Sequence, residues 1–170
     1  MGERRRRVTG VPPTTHVLGI IADTHGLLRA DVHSALAGVE LILHAGDVGG
    51  DDVLDELGLI APVRAVYGNT DPPGDPRLSP SIAHAVAGVT IHVSHGHELG
   101  SPVPEELLSR YAADVIVYGH THRALVVHAG GRLVLNPGAA GPRRFDITPS
   151  VARLTIANGR AEAELIALRA

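Results

Sequence analysis

Five apolar runs in this chain each end in a short polar motif, and that repetition constrains the fold more than any other feature. The motifs are Asp23-Thr24-His25, Gly46-Asp47, Gly68-Asn69-Thr70-Asp71, Ser94-His95-Gly96-His97 and Gly119-His120-Thr121-His122. A short continuous apolar run reads as a strand buried on both faces, as in a sheet covered by helices. Aromatic residues make up only 2% of the chain, so the core falls to Val, Leu, Ile and Ala. Strands are expected over residues 16–22, 40–44 and 63–67, with helices over 31–38 and 51–59 between them. Asp31 is placed to cap the first helix. This β-α-β-α-β series requires parallel strands with right-handed crossovers.

The second half reads differently. Residues 72–80, rich in Pro, Gly and Asp, form a loop. Residues 81–86 and 89–94 form a hairpin about Ala87-Gly88, 104–113 a helix with Pro104 in its first turn, and 114–118 a buried strand. The remainder, 124–129, 132–136, 150–157 and 160–168, is expected to be antiparallel, turning on Gly130-Gly131 and Asn158-Gly159. Two strand-rich halves predict an α/β chain with two sheets face to face and helices outside. Residues 16–170 read as one domain behind a disordered basic leader, residues 1–15, which carries Arg4 to Arg7 and Pro12-Pro13.

Absences narrow the chemistry. The chain has no cysteine, and all 15 of its basic residues are arginine. Cysteine nucleophiles, thiolate metal sites, Schiff-base lysines and Walker lysines are excluded. No run is long enough to span a membrane, and no apolar segment follows Arg4 to Arg7 as a signal peptide would require, so the expected location is cytoplasmic. Residues 8–170 carry a formal balance of −6 with histidine neutral. Constitutive binding of nucleic acid is therefore not expected, and a polyanionic substrate would need cations to offset the carboxylates.

In open α/β sheets ligands bind beyond the carboxyl ends of the parallel strands, where Asp23, Asp47, Asn69, His95 and His120 all fall. Asp23 and His25 are two residues apart and in extended backbone share a face, able to grip one cation together; His120 and His122, also two apart, would direct both imidazoles to one side, one to each of two cations. Asp47 has two carboxylate oxygens with which to bridge two ions. Asn69 adds a neutral oxygen. The other histidines, His16, His33, His44, His84, His92 and His128, read as structural. Ser94 lacks a Gly-x-Ser-x-Gly context, and no Gly-x-Gly-x-x-Gly follows the first strand.

These five motifs, with Asn136-Pro137-Gly138, resemble the calcineurin-like metallophosphoesterase superfamily, specifically its small, cap-less bacterial and archaeal phosphodiesterase branch. The resemblance runs from about Val17 to Leu168. It implies a four-layer α-β-β-α sandwich of two mixed β-sheets flanked by helices. It implies two divalent metal ions, manganese first, with iron, nickel, cobalt or zinc as alternatives. Asp23, His25, Asp47 and His122 would bind one ion; Asp47, Asn69, His95 and His120 would bind the other. Asp47, Asn69 and His97 are the expected catalytic residues, His97 either contacting substrate or fixing its loop.

The implied activity is hydrolysis of small phosphate esters, diesters first, by a metal-bridging hydroxide attacking phosphorus. The alternative is a metal-binding interaction scaffold of the same fold with little or no catalysis, as a retromer subunit of similar fold exemplifies. A homo-oligomer stays open. One departure concerns mechanism: Thr70 stands where many members carry a histidine that donates a proton to the leaving group. Asp71 is either a substitute donor or a turn residue. Arg143 and Arg144 lie in a loop after the Asn-Pro-Gly turn, where arginine could contact phosphate.

Overall fold

The structure is a computed structural model and describes residues 14–169. The basic leader, apart from Thr14 and Thr15, lies outside the described residues. The first half runs β1 (His16–Ile21), α1 (Asp31–Ala35), β2 (Leu41–His44), α2 (Asp51–Leu57), β3 (Val63–Val66) and β4 (Leu78–Ser79). Then follow β5 (Ile82–Val86), β6 (Val89–Val93), α3 (Pro104–Arg110), β7 (Val115–Val117), β8 (Leu125–Ala129), β9 (Arg132–Asn136), β10 (Ser150–Ala157) and β11 (Arg160–Ala167).

The strands form two mixed sheets. One has the order β11-β10-β1-β2-β3-β4, the other β5-β6-β7-β9-β8. In the first, β1, β2, β3 and β4 are parallel, as the βαβ reading requires, and the β10–β11 hairpin adds antiparallel strands beside β1. In the second, β6, β7 and β9 are parallel, each preceded by a helix or hairpin that carries the chain back across the sheet.

Alternation along the strands decides the layers. Leu18, Ile20, Leu43 and Leu154 of the first sheet meet Ile91, Val93, Val117 and Leu135 of the second in one central core. Their neighbours point the other way: Ile21 and Ile42 pack with Leu36, Leu54 and Leu57 of the α1–α2 side, and Ile116 and Val134 pack with Leu107 of α3. The result is the four-layer α-β-β-α sandwich. Each fully buried Leu or Ile contributes roughly 1.5–3 kcal/mol, so aliphatic burial on three interfaces supplies what the scarce aromatics do not. No helix among the described residues is long and apolar enough to cross a membrane.

Two local expectations change, and one turn is added. Residues 72–80 are not all loop: Leu78–Ser79 adds a short parallel strand beside β3, too brief to leave a periodic signal. Ala30, not Asp31, occupies the cap position of α1, and the Asp31 carboxylate instead accepts the Arg169 N–H at 2.9 Å. His97–Leu99 forms a 3-10 turn after β6.

Candidate metal centre

The parallel strands end at Ile21, His44, Val66, Val93 and Val117, and the first candidate ligand of each motif, Asp23, Asp47, Asn69, His95 and His120, follows within three positions at one edge of the sandwich. The expected extended geometry of Asp23-x-His25 and His120-x-His122 does not occur. Asp23, His25, Asp47, His120 and His122 all have positive φ, between 46° and 68°. Their side chains converge because the backbone coils in the left-handed region, which Asp and His tolerate better than most non-glycine residues. Backbone hydrogen bonds hold that coil. Asp23 and His25 donate to the Gly46 and Asp47 carbonyls, each at 3.0 Å, and Gly26 donates to Val48 at 2.9 Å.

Two clusters result: Asp23, His25 and His122, and Asp47, His95 and His120, with the donor atoms of each within 4.8 Å of one another. Asp47 stands between them. Its Oδ2 lies 3.2 Å from His95 Nε2 and 3.8 Å from His25 Nε2, while its Oδ1 accepts the Thr70 N–H at 2.9 Å. Asn69 joins the second cluster through Oδ1, 3.1 Å from His95 Nε2. This crowding needs glycine: a Cβ at Gly68 would lie 2.0 Å from Asp47 Oδ1, and one at Gly46 would lie 2.6 Å from His95 Nδ1.

The donor set fits divalent cations. Asp23 Oδ1 is buried without a hydrogen-bond partner, yet lies 3.3 Å from His122 Nε2 and 3.8 Å from His25 Nε2. A carboxylate oxygen stranded among imidazole nitrogens is costly unless something positive sits beside it. His25 Nε2 and His122 Nε2 themselves stand 3.4 Å apart. Burial pushes His25 and His120 below the usual histidine range, so both favour the neutral form that ligates metal.

Burial also opposes charge on His95, but the Asp47 hydrogen bond and nearby Asp23 outweigh it and raise this group. Asp47 is correspondingly held well below the carboxylate range: burial resists, and hydrogen bonds from His95 and the Thr70 N–H prevail. His95 Nδ1–H donates to the Ala45 carbonyl at 2.7 Å, which turns Nε2 toward the centre.

Several residues that position this centre carry only faint sequence signals. The buried His44 accepts the Gly46 N–H on Nδ1 at 3.1 Å, so Nε2 carries the proton and donates to Thr24 Oγ1 at 2.9 Å. The Thr24 hydroxyl in turn donates to the Val48 carbonyl at 2.7 Å. Asn136 Nδ2 donates to the Gly119 carbonyl and to Thr121 Oγ1, both at 3.1 Å, pinning the loop of His120 and His122. Asp71 resolves as a positioning residue: its oxygens accept the N–H groups of Gly68 (2.8 Å), Gly49 (3.1 Å) and Val48 (3.2 Å). His97 belongs to neither cluster. Its ring lies 5.3 Å from that of His95, 6.3 Å from His120 and 6.4 Å from Tyr67, and its Nδ1 is buried without a partner.

Known proteins resemble this chain in sequence and fold. Residues 17–159 match the model of the calcineurin-like phosphoesterase superfamily domain. A probable metallophosphoesterase of Methanothermobacter thermautotrophicus is 35% identical over 161 residues, covering 88% of this chain and 91% of its own. A phosphodiesterase of Methanocaldococcus jannaschii is 28% identical over 139 residues, covering 71% and 82%. Among solved structures, Vacuolar Protein Sorting 29 of Cryptosporidium parvum superposes with a TM-score of 0.76 at 21% identity, over 92% of this chain and 99% of that one. The chain belongs to the calcineurin-like phosphoesterase superfamily, in its small form without a cap. The family is metal-dependent, and the two clusters are this chain's candidate ligands.

Proposed function

We propose that residues 16–170 form one metallophosphoesterase domain that hydrolyses small phosphate esters, diesters first, with two divalent cations. Manganese is the first choice among manganese, iron, nickel, cobalt and zinc, because imidazole and carboxylate donors without thiolate discriminate weakly. Asp23, His25 and His122 would hold one ion, Asn69, His95 and His120 the other, and Asp47 both. Bound there, the pair would polarise the phosphoryl oxygens and lower the pKa of an attacking water. The observation that carries this reading is the Asp47 carboxylate, set between the two clusters with His25 and His95 on its Oδ2.

The chain's own residues then orient and relieve charge. His95 is aimed by the Ala45 carbonyl, Asp47 is braced by Thr70 N–H, and Asn69 contributes an oxygen without adding negative charge. With threonine at position 70 and Asp71 engaged by three backbone donors, neither supplies a proton to the leaving group, which favours esters of weakly basic alcohols. His97, with its free buried nitrogen beside both His95 and His120, is read as the substrate-side residue of the second cluster. Cytoplasmic placement is part of the same reading.

The likeness to Vacuolar Protein Sorting 29 keeps a scaffold as the second reading. One assay separates the two: turnover of bis(p-nitrophenyl) phosphate and p-nitrophenyl phosphate by manganese-reconstituted protein. The expected result is diester turnover that chelation abolishes and Asp47→Ala lowers about a thousandfold. Turnover indifferent to chelation overturns the two-metal reading; metal binding with no turnover favours the scaffold.

A further inference from the structure

The loop between β9 and β10 is anchored directly on the first metal-ligand loop. Ala140 N–H donates to the Ala22 carbonyl at 2.9 Å and Gly141 N–H to the Asp23 carbonyl at 3.2 Å, while Arg29 Nε clamps the Gly141 carbonyl at 3.0 Å. The contact is close enough that a Cβ at Gly141 would stand 2.1 Å from the Thr24 carbonyl oxygen. From that root the chain turns outward: Ile147 N–H closes on the Arg144 carbonyl at 3.1 Å, with Phe145 and Asp146 at the turn. Arg144 is three residues from Gly141, so its backbone stays within about 11 Å of the anchor point on the Asp23-Thr24-His25 loop.

Two features of this turn break local rules. Phe145, the chain's single phenylalanine, is 93% exposed. It also has φ of 52° at the first central position of the turn, where a positive φ ordinarily selects glycine. A bulky aromatic in that conformation costs on the order of 1 kcal/mol and gains nothing from burial, a combination that concentrates at functional sites. Arg144 is exposed, and among the described residues it has no carboxylate partner, unlike Arg77 with Asp51 and Asp55 or Arg169 with Asp31.

We propose that residues 141–147 form the substrate-recognition wall of the His25–His122 side, Arg144 pairing with the phosphoryl oxygens and Phe145 stacking on a planar ester group such as a nucleobase. This rests on the phosphoesterase reading above and deepens it to nucleoside phosphodiesters. Guanidinium and phosphate match in a fork of parallel hydrogen bonds, and an exposed aromatic face stacks on any base.

Two esters with the same leaving group test the wall on the manganese-loaded full chain: thymidine 5′-(p-nitrophenyl phosphate) and methyl p-nitrophenyl phosphate. Phe145→Ala lowers the thymidine-over-methyl preference in kcat/KM about fivefold, and Phe145→Trp restores it. Arg144→Ala raises KM for both esters about tenfold, with Arg144→Lys between, while bound manganese stays at the wild-type level. Calorimetric titration with thymidine 5′-phosphate and with inorganic phosphate reads the same preference without turnover. A preference that Phe145→Ala leaves unchanged in both readouts overturns the proposal. A wild type inactive on both esters sinks the phosphoesterase reading instead, and the calorimetric ratio still decides the wall.

Discussion

At the end of the sandwich opposite the metal centre the chain reverses on Ala87-Gly88, Gly130-Gly131 and Asn158-Gly159, all with positive φ. At the metal end the same backbone region is filled by Asp23, His25, Asp47, His120 and His122. The hairpin end uses mostly glycine and asparagine, for which the left-handed region is cheap. The metal end also uses glycine, at Gly26, Gly46, Gly49 and Gly96, but adds side chains that pay about 1 kcal/mol each for that region, held in place by main-chain bonds between loops, such as Asp23 to Gly46 and His25 to Asp47.

The sharpest way to break that contrast is Asp23→Asn. Asp23 Oδ1 is buried and unpartnered, so in the metal-free protein it is a net cost; its other oxygen accepts the His120 N–H at 3.1 Å, which an amide oxygen can still do. The expected outcome is activity lower by at least about a hundredfold, together with a metal-free protein more stable by about 1–3 kcal/mol. For a chain of this size that is a Tm rise of very roughly 2–10 °C. A metal-free variant that melts below wild type would assign Asp23 a structural role and dissolve the contrast.

The second test is pH. Burial lowers the His44 pKa to about 4, and its two ring nitrogens are spoken for by Gly46 and Thr24. A folded pKa below the unfolded value of about 6.5 means that the unfolded chain binds the proton first. Stability is therefore full above about pH 6.5 and falls as pH drops toward 4, by up to roughly 3 kcal/mol. Melting curves of metal-free protein from pH 7.5 to 4.5 should show this slope, and His44→Gln should flatten it while lowering Tm at neutral pH. Equal slopes in both proteins would place the acid sensitivity elsewhere, with His25, His92 and His120, whose values are also lowered by burial.

Much of this molecule was legible because parallel strands buried on both faces write themselves as apolar runs, and the polar residue after each run marks the site edge. The layers, the three hairpins and the order of the ligand motifs followed from that. Three things did not. The two-residue β4 is defined by its partner β3 rather than by any period of its own. The convergence of Asp23 with His25 was expected from strand alternation, whereas it arises from positive φ, which Asp and His do not advertise as glycine does. The bracing by Asn136, Asp71, Thr24 and His44 joins residues 20 or more apart, or loops from different strands, and no single-chain pattern carries such pairs. For His44 the one available signal was a histidine inside an apolar strand, which read as structural and is so.

The mildest test sharpens the comparison from the hairpin end. Ala87 is the one residue of the three reversals that is neither glycine nor asparagine, and its φ of 49° followed by 81° at Gly88 has both central residues positive, as a type I′ turn requires. Asparagine at the first of these positions is favoured because its short polar side chain tolerates the left-handed region without the backbone entropy that glycine adds. Ala87→Asn is expected to stabilise the chain by about 0.5–1 kcal/mol, a Tm rise of roughly 1–4 °C. Since the turn lies at the far end of β6 from His95, kcat/KM on a diester should match wild type. A gain in stability accompanied by a loss of turnover would mean the two ends are mechanically coupled through β6, and that strain at the metal end is not locally contained.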